Sequence, residues 1–372
     1  VNIRTMAKYL RSNNIRKIYY IHVDHFEPMS MDGSACVSSD VINQFIFQSK
    51  KYPHSRNMTL FLRPNFGVGF NGDKSHDSFS HVEGDDLGFY KTPELHKVGS
   101  YIERILSKTE LDLELHIHHE NFTTTDEGKY AKDVKKYLIN NSTMRMDEKR
   151  FDLYVKLCLE FLRKHSGKSF SQWFFVHGKW GLNASDRGVC RIDAELDILR
   201  RNGCKGDFTF PAGRKKCDPF IKKPFSCKTP HIWRNYDYTT SEAKPVSVNT
   251  DLLVKNRFFI WNSDLTHPLS SLDFYSPAVN EQLSETNRFI ENLLFKSPKI
   301  GDAIFIKTYA HSMSEEYINR DEIIFPFSHP NVISAFERLM LLSDKAGVDF
   351  KCITASQAYN IIKKFDNRKV SE

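Results

Sequence analysis

Strand-like runs alternate with amphipathic helical stretches along this chain, and that alternation restricts the fold more than any other feature. Segments rich in β-branched and aromatic residues predict strands at 17–24, 57–62, 111–118, 172–177, 206–210, 257–262 and 303–309. Helical periodicity marks 39–50, 92–107, 147–165, 191–202, 279–296, 331–346 and 355–364. Strands alternating with helices imply a parallel sheet, so the fold class is α/β. Seven strands suggest a barrel one short of the eight-stranded form. No repeat, low-complexity tract or linker divides the chain, and residues 1–372 are expected to form one domain. Residues 63–90 and 211–256 are too long, and too rich in Gly, Pro and Asp, for simple connections. They are expected to line or cover a site at the C-terminal rim of the strands.

The third strand ends in chemistry. Leu111, Leu113, Leu115 and Ile117 alternate with period two, so His116 and His118 project from the opposite face. Paired imidazoles at a strand end, with His119 and Glu120 just beyond, have the look of a metal site. A His-x-His pair alone can be mere surface, but a second cluster lies near the start. There Ile18 to Asp24 reads as a strand running into His25-Phe26-Glu27-Pro28, where proline ends regular structure. His22 and Asp24 share one face, bringing a carboxylate and an imidazole to that strand's C-terminal end. Strand ends converging on one rim are how parallel barrels assemble active sites.

Three further strand ends carry polar groups. The fourth strand leads into His177-Gly178-Lys179-Trp180-Gly181-Leu182-Asn183, an aromatic face beside hydrogen-bonding groups, which suits a sugar ring. Taken alone, Trp180 reads rather as a core residue. The last strand leads to His311, placed to donate a proton to a leaving group near neutral pH. The fifth ends at Pro211-Ala212-Gly213-Arg214, and Arg214 is a candidate substrate contact.

Composition excludes several classes. The net charge of +7 arises from 53 basic and 46 acidic residues spread along the chain, with short runs at 214–216 and 222–223 only. Without a recognised motif these runs do not imply nucleic-acid binding, although they would attract an anionic substrate. Seven cysteines at irregular spacing form neither a disulfide framework nor a zinc knuckle, so a reducing cytoplasm is expected. No apolar run approaches membrane-spanning length and no signal core is visible.

Four segments carry a resemblance: His22 to Pro28, Glu114 to Glu120, Phe174 to Asn183 and Gly206 to Pro211. Together they resemble the polysaccharide deacetylase-like branch of the glycoside hydrolase/deacetylase superfamily. More narrowly, they resemble the deacetylase-like proteins of bacterial O-antigen and capsule loci. The resemblance spans residue 18 to Tyr359 and implies a distorted (β/α)7 barrel. The family's Thr-Phe-Asp-Asp motif matches His22-Val23-Asp24-His25, which implies Asp24 as general base or ligand and His25 as ligand. Its His-x-x-x-His motif matches His116 with Glu120, or the tighter pair His116 and His118. The Arg-x-Pro-Tyr motif has no match, and His177 and Trp180 stand at the comparable strand end. The final Leu-His-Asp motif corresponds loosely to Tyr309 to Ser312, with His311 as general acid.

The expectation is therefore a metal-dependent hydrolase that removes an N- or O-acyl group, acetyl above all, from a sugar in surface-polysaccharide biosynthesis. A divalent ion, zinc by preference, would be held by Asp24, His25, His116, His118 and Glu120 or a subset of them. Asp24 and His311 would be catalytic, and His177, Lys179, Trp180 and Arg214 would contact substrate. A cytoplasmic address favours a nucleotide sugar or a lipid-linked glycan precursor. Two other classes compete. An amidohydrolase-like enzyme also uses His-x-His on a strand, though normally on the first; a glycan-binding relative would keep the barrel without its chemistry.

Overall fold

The computed structural model describes residues 3–30, 35–68, 80–81, 89–91, 93–119, 148–184, 190, 192–211, 223–228, 257–263, 283–319 and 321–369. The strands are β1 (Lys17–Phe26), β2 (Thr59–Leu62), β3 (Gly67–Val68), β4 (Ser80–His81), β5 (Phe89–Lys91), β6 (Asp112–Ile117) and β7 (Trp173–His177). They continue with β8 (Cys204–Asp207), β9 (Phe225–Lys228), β10 (Arg257–Ile260), β11 (Lys299–Ile300), β12 (Ala303–Ala310) and β13 (Asp349–Cys352). All seven segments expected to be strands overlap one, the fifth by only two residues since β8 begins at Cys204, and they pair in parallel in the order β12-β1-β2-β6-β7-β8-β10. Antiparallel β11 and β9 lie at the two edges. The small β3-β5-β4 sheet is separate.

Side-chain alternation divides the core into two layers. Leu113, Leu115 and Ile117 of β6 pack outward with Val98, Ile102 and Ile105 of the helix Pro93–Lys108 and Phe151 and Val155 of the helix Glu148–Ser166. Tyr19, Ile21 and Val23 of β1 face the other way, joining Phe61, Phe174, Val176, Phe208, Phe259, Trp261 and Phe305. Rings from non-neighbouring strands meet in this inner layer. Phe61 and Phe208 lie 6.3 Å apart, and Trp261 and Phe305 6.5 Å apart. The sheet is therefore curled, although no ladder joins β10 to β12 among the described residues. The architecture is a half-barrel with a parallel-rich sheet. Its inner layer is lined by Ala355, Ala358 and Ile362 of the helix Ala355–Lys369, with Tyr359 against Phe174 and Phe259.

Several boundaries differ from the sequence expectation. Of the helix expected over 191–202, the described part is helical from Glu195 to Arg201, where Asn183 Oδ1 accepts from the Leu196 N–H of the first turn at 3.2 Å. The helix Ile3–Ser12 and strand β13 were not expected. β13 pairs with the first half of β1 while β2 pairs with its second half, so the two share one edge. Most of the long connections 63–90 and 211–256 lies outside the described residues, as do Glu120 and Arg214. No helix among the described residues is long and apolar enough to cross a membrane.

Candidate metal centre

At the C-terminal ends of β1 and β6 three side chains converge on one point. Glu27 Oε1 lies 2.9 Å from His116 Nε2 and 2.8 Å from His118 Nε2, and the two imidazole nitrogens are 2.9 Å apart. Alternation explains the grouping. His116 and His118 stand on the face of β6 that its leucines leave, and Glu27 lies on the same side of β1 as Val23 and His25.

The protonation of this group is constrained. His116 Nδ1–H donates to Val176 O at 2.9 Å, so in the neutral ring Nε2 carries a lone pair. Burial, followed by His118, holds the His116 pKa down to about 4 against the opposing hydrogen bond to Glu27, so the ring is neutral at pH 7. Burial alone would raise the Glu27 pKa, but the Arg63 guanidinium, followed by His118, draws it well below the usual carboxylate value. Arg63 Nη1 stands 3.6 Å from Glu27 Oε2, and the guanidinium is fixed by Nη2–H donating to Met29 O at 2.7 Å. A lone pair on His116 thus faces an ionised carboxylate. Either the one proton that His118 can offer or a cation must lie between them. Three donors about 2.9 Å apart are what mutually perpendicular bonds of about 2.0–2.1 Å to one divalent ion would give.

Beside the group stand two more histidines. His25 Nδ1 is 3.2 Å from His311 Nε2, its ring stacks on Tyr309 at 5.0 Å and 10°, and it lies 5.0 Å from the His116 ring. Its Nε2 is buried and has no hydrogen-bond partner among the described residues. Burial, with His311 and His116 adding to it, lowers the His25 pKa well below that of a free imidazole. His25 and His311 thus form a pair able to exchange one proton next to the convergence point.

Other expected residues are not brought there. Asp24 faces the opposite side of β1, where its carboxylate accepts from the Ser312 hydroxyl and, at 3.3 Å, from the Ser312 N–H. Alternation sends it away from His25, and the carboxylate at this rim is Glu27 instead. His22 shares the Asp24 side and contacts Thr308 Oγ1 at 2.8 Å. Lys179 and Trp180 follow β7 in the left-handed backbone region, at φ 55° and 60°, and Trp180 packs against both apolar layers. His177 faces outward, away from the rim.

That outward side holds a second group, invisible to sequence spacing. Buried His119, His177, Cys190 and Glu195 place their donor atoms within 4.8 Å of one another and could hold a metal ion. Glu27 was not among the expected ligands, although its position two residues beyond His25 puts it on the same side of the chain. Cys190 and Glu195 come from separate segments and carry no local signal.

No family model, curated protein or solved structure matches this chain.

Proposed function

We propose that the protein is a metal-dependent hydrolase that removes an acyl group from a sugar, with Glu27, His116 and His118 as the ion's ligands. The observation that carries this reading is the lone pair of His116 held by Val176 against an ionised Glu27, with His118 closing the triangle. A bound divalent ion would lower the pKa of a water to about 7 and polarise the acyl carbonyl. The chain's own residues supply the remainder. Arg63 and the Val176 carbonyl fix the orientation of Glu27 and His116, so the donors are set before any ligand arrives. His25, neutral and buried, offers an imidazole base, and His311, half-exposed beside it, delivers the proton to the departing amine or alcohol. Asp24 takes no part in this scheme except to hold Ser312, next in sequence to His311.

The curled parallel sheet and the strand-end placement of the site agree with the resemblance to polysaccharide deacetylases, in which the sheet is a (β/α)7 barrel. A sugar substrate is inferred from that resemblance. The free thiols of Cys36, Cys158, Cys190, Cys204 and Cys352 favour a reducing compartment, hence a nucleotide sugar or lipid-linked precursor.

The test is acetate release from N-acetylated amino sugars by the metal-loaded protein, with and without chelator, in wild type and His116→Ala. Chelator-sensitive release, lost in His116→Ala together with one metal equivalent, supports the reading. Metal bound without release from acetylated sugars shifts it to another amide. A rim that binds no metal leaves a glycan-binding protein.

A further inference from the structure

The second cluster lies between the sheet and its outer helices, on the far side of β6 and β7 from the rim. Four chain segments meet there: the residue following His118, the last residue of β7, the loop before the helix Glu195–Arg201, and the first residue of that helix. His119 Nε2 is 2.8 Å from Glu195 Oε1, His177 Nε2 is 3.4 Å from the same oxygen, and Cys190 Sγ is 3.7 Å from Oε2. The rings of His119 and His177 stack at 4.7 Å and 17°, with Phe151 covering His119 at 5.0 Å. All four side chains belong to buried residues.

The polar contacts around the group orient it inward. His177 Nδ1–H donates to Gly178 O, which turns Nε2 toward the Glu195 carboxylate. The Asn183 N–H donates to Glu195 Oε2, and Asn183 Oδ1 accepts from Leu196 N–H at 3.2 Å, tying the loop to the helix start. Such contacts fix the tautomer and rotamer of metal ligands from outside the donor set. Tetrahedral bonds of about 2.0–2.1 Å to nitrogen or oxygen and about 2.3 Å to sulfur separate their donors by about 3.3–3.6 Å. The 3.4 Å between His177 Nε2 and Glu195 Oε1 lies in that range, and one donor atom from each of the four residues lies within 4.8 Å of the others.

We propose that His119, His177, Cys190 and Glu195 form a closed structural zinc site, separate from the rim centre. Four protein donors leave no open position, which distinguishes a structural from a catalytic site. Thiolate with imidazole favours zinc over magnesium or calcium. Charge agrees as well. One divalent cation, one thiolate, one carboxylate and two neutral imidazoles sum to zero, the state that costs least to bury. Binding releases the Cys190 thiol proton, and any proton shared by His119 and Glu195, to solvent.

The 372-residue chain, purified and loaded with Zn2+ or Co2+ alone, tests this. Two equivalents per chain are expected in wild type and one in His116→Ala. The Co2+ form should show a thiolate-to-cobalt charge-transfer band that persists in His116→Ala and disappears in Cys190→Ser. Should Cys190→Ser not fold, zinc X-ray absorption on wild type decides: one sulfur scatterer at about 2.3 Å per chain is expected. A His116→Ala protein that binds no metal, a cobalt spectrum without thiolate character, a band surviving Cys190→Ser, or absorption without sulfur each overturns the site. None of these readouts depends on acetate release, so the buried site and the proposed activity fail separately.

Discussion

Replacing Gly178 by alanine tests the geometry of the rim centre without touching a ligand. A Cβ built at Gly178 falls 2.4 Å from His118 Cγ and Cδ2 and 2.7 Å from Nδ1. Ordinary carbon contacts are about 3.5–4.0 Å, so the imidazole must retreat by about 1 Å or more. Metal sites tolerate deviations of about 0.2 Å in ligand distance, and His118 Nε2 has 2.8 and 2.9 Å neighbours to leave behind. The backbone of Gly178 lies outside the left-handed region, so the added methyl acts through sterics alone. Overpacking of this kind costs about 1–3 kcal/mol of stability. Metal affinity at the rim should fall about 10–100-fold, the range seen when ligand orientation is disturbed. Competition against a fluorescent chelator measures the affinity, and thermal unfolding separates it from general damage. Unchanged rim affinity in a folded Gly178→Ala protein would refute the placement of His118 among the ligands.

Four other perturbations have defined outcomes. Asp24→Asn should leave metal content at the rim intact while lowering stability by about 1–3 kcal/mol, because Ser312 loses a charged acceptor; urea unfolding and elemental analysis report the two effects. Burial lowers the Lys307 pKa to about 7 from 10.5, so the unfolded chain binds more protons between those values and this group's stability contribution rises with pH across that window. Burial raises the Asp207 pKa from 3.8 to about 7, so its contribution is full below pH 3.8 and is lost as pH climbs toward 7. Stability curves for Lys307→Met and Asp207→Asn should flatten above and below pH 7 respectively; parallel curves in wild type and variants would contradict both. Chelator treatment should strip the rim ion first, since Glu27 is 22 % exposed and His118 11 %, whereas all four outer donors are buried. A stopped-flow chelation trace with one phase, removing every equivalent together, would count against two sites of different accessibility.

Much of the fold was legible because it rests on side-chain alternation. Leu111 to Ile117 places its apolar residues under the helices and its histidines at the rim, and neither assignment needs distant information. The strand β13 was not legible. Its residues alternate between exposed and half-buried, and its stability comes from the edge of β1 rather than from an apolar stripe. Glu27 follows the same alternation as His25, so its place was implicit in the sequence, whereas Asp24 belongs by the same count to the other side. Cys190 and Glu195 could not be foreseen. They reach His119 and His177 only through the folding of a segment whose partner is the Asn183 backbone, and no spacing encodes that meeting.

His118 and His119 are consecutive residues whose rings go to opposite sides of the sheet, one against Gly178 and the rim, the other against Phe151 and Glu195. One peptide unit therefore serves two centres. An ion at either centre would hold that unit in the geometry the other centre needs. With ions at both places, occupancy of one would raise affinity at the other by a shared factor, the same in each direction. Titration of the stripped protein would then be sigmoidal rather than a sum of independent isotherms, and a single flexible residue inserted between the two histidines would uncouple them.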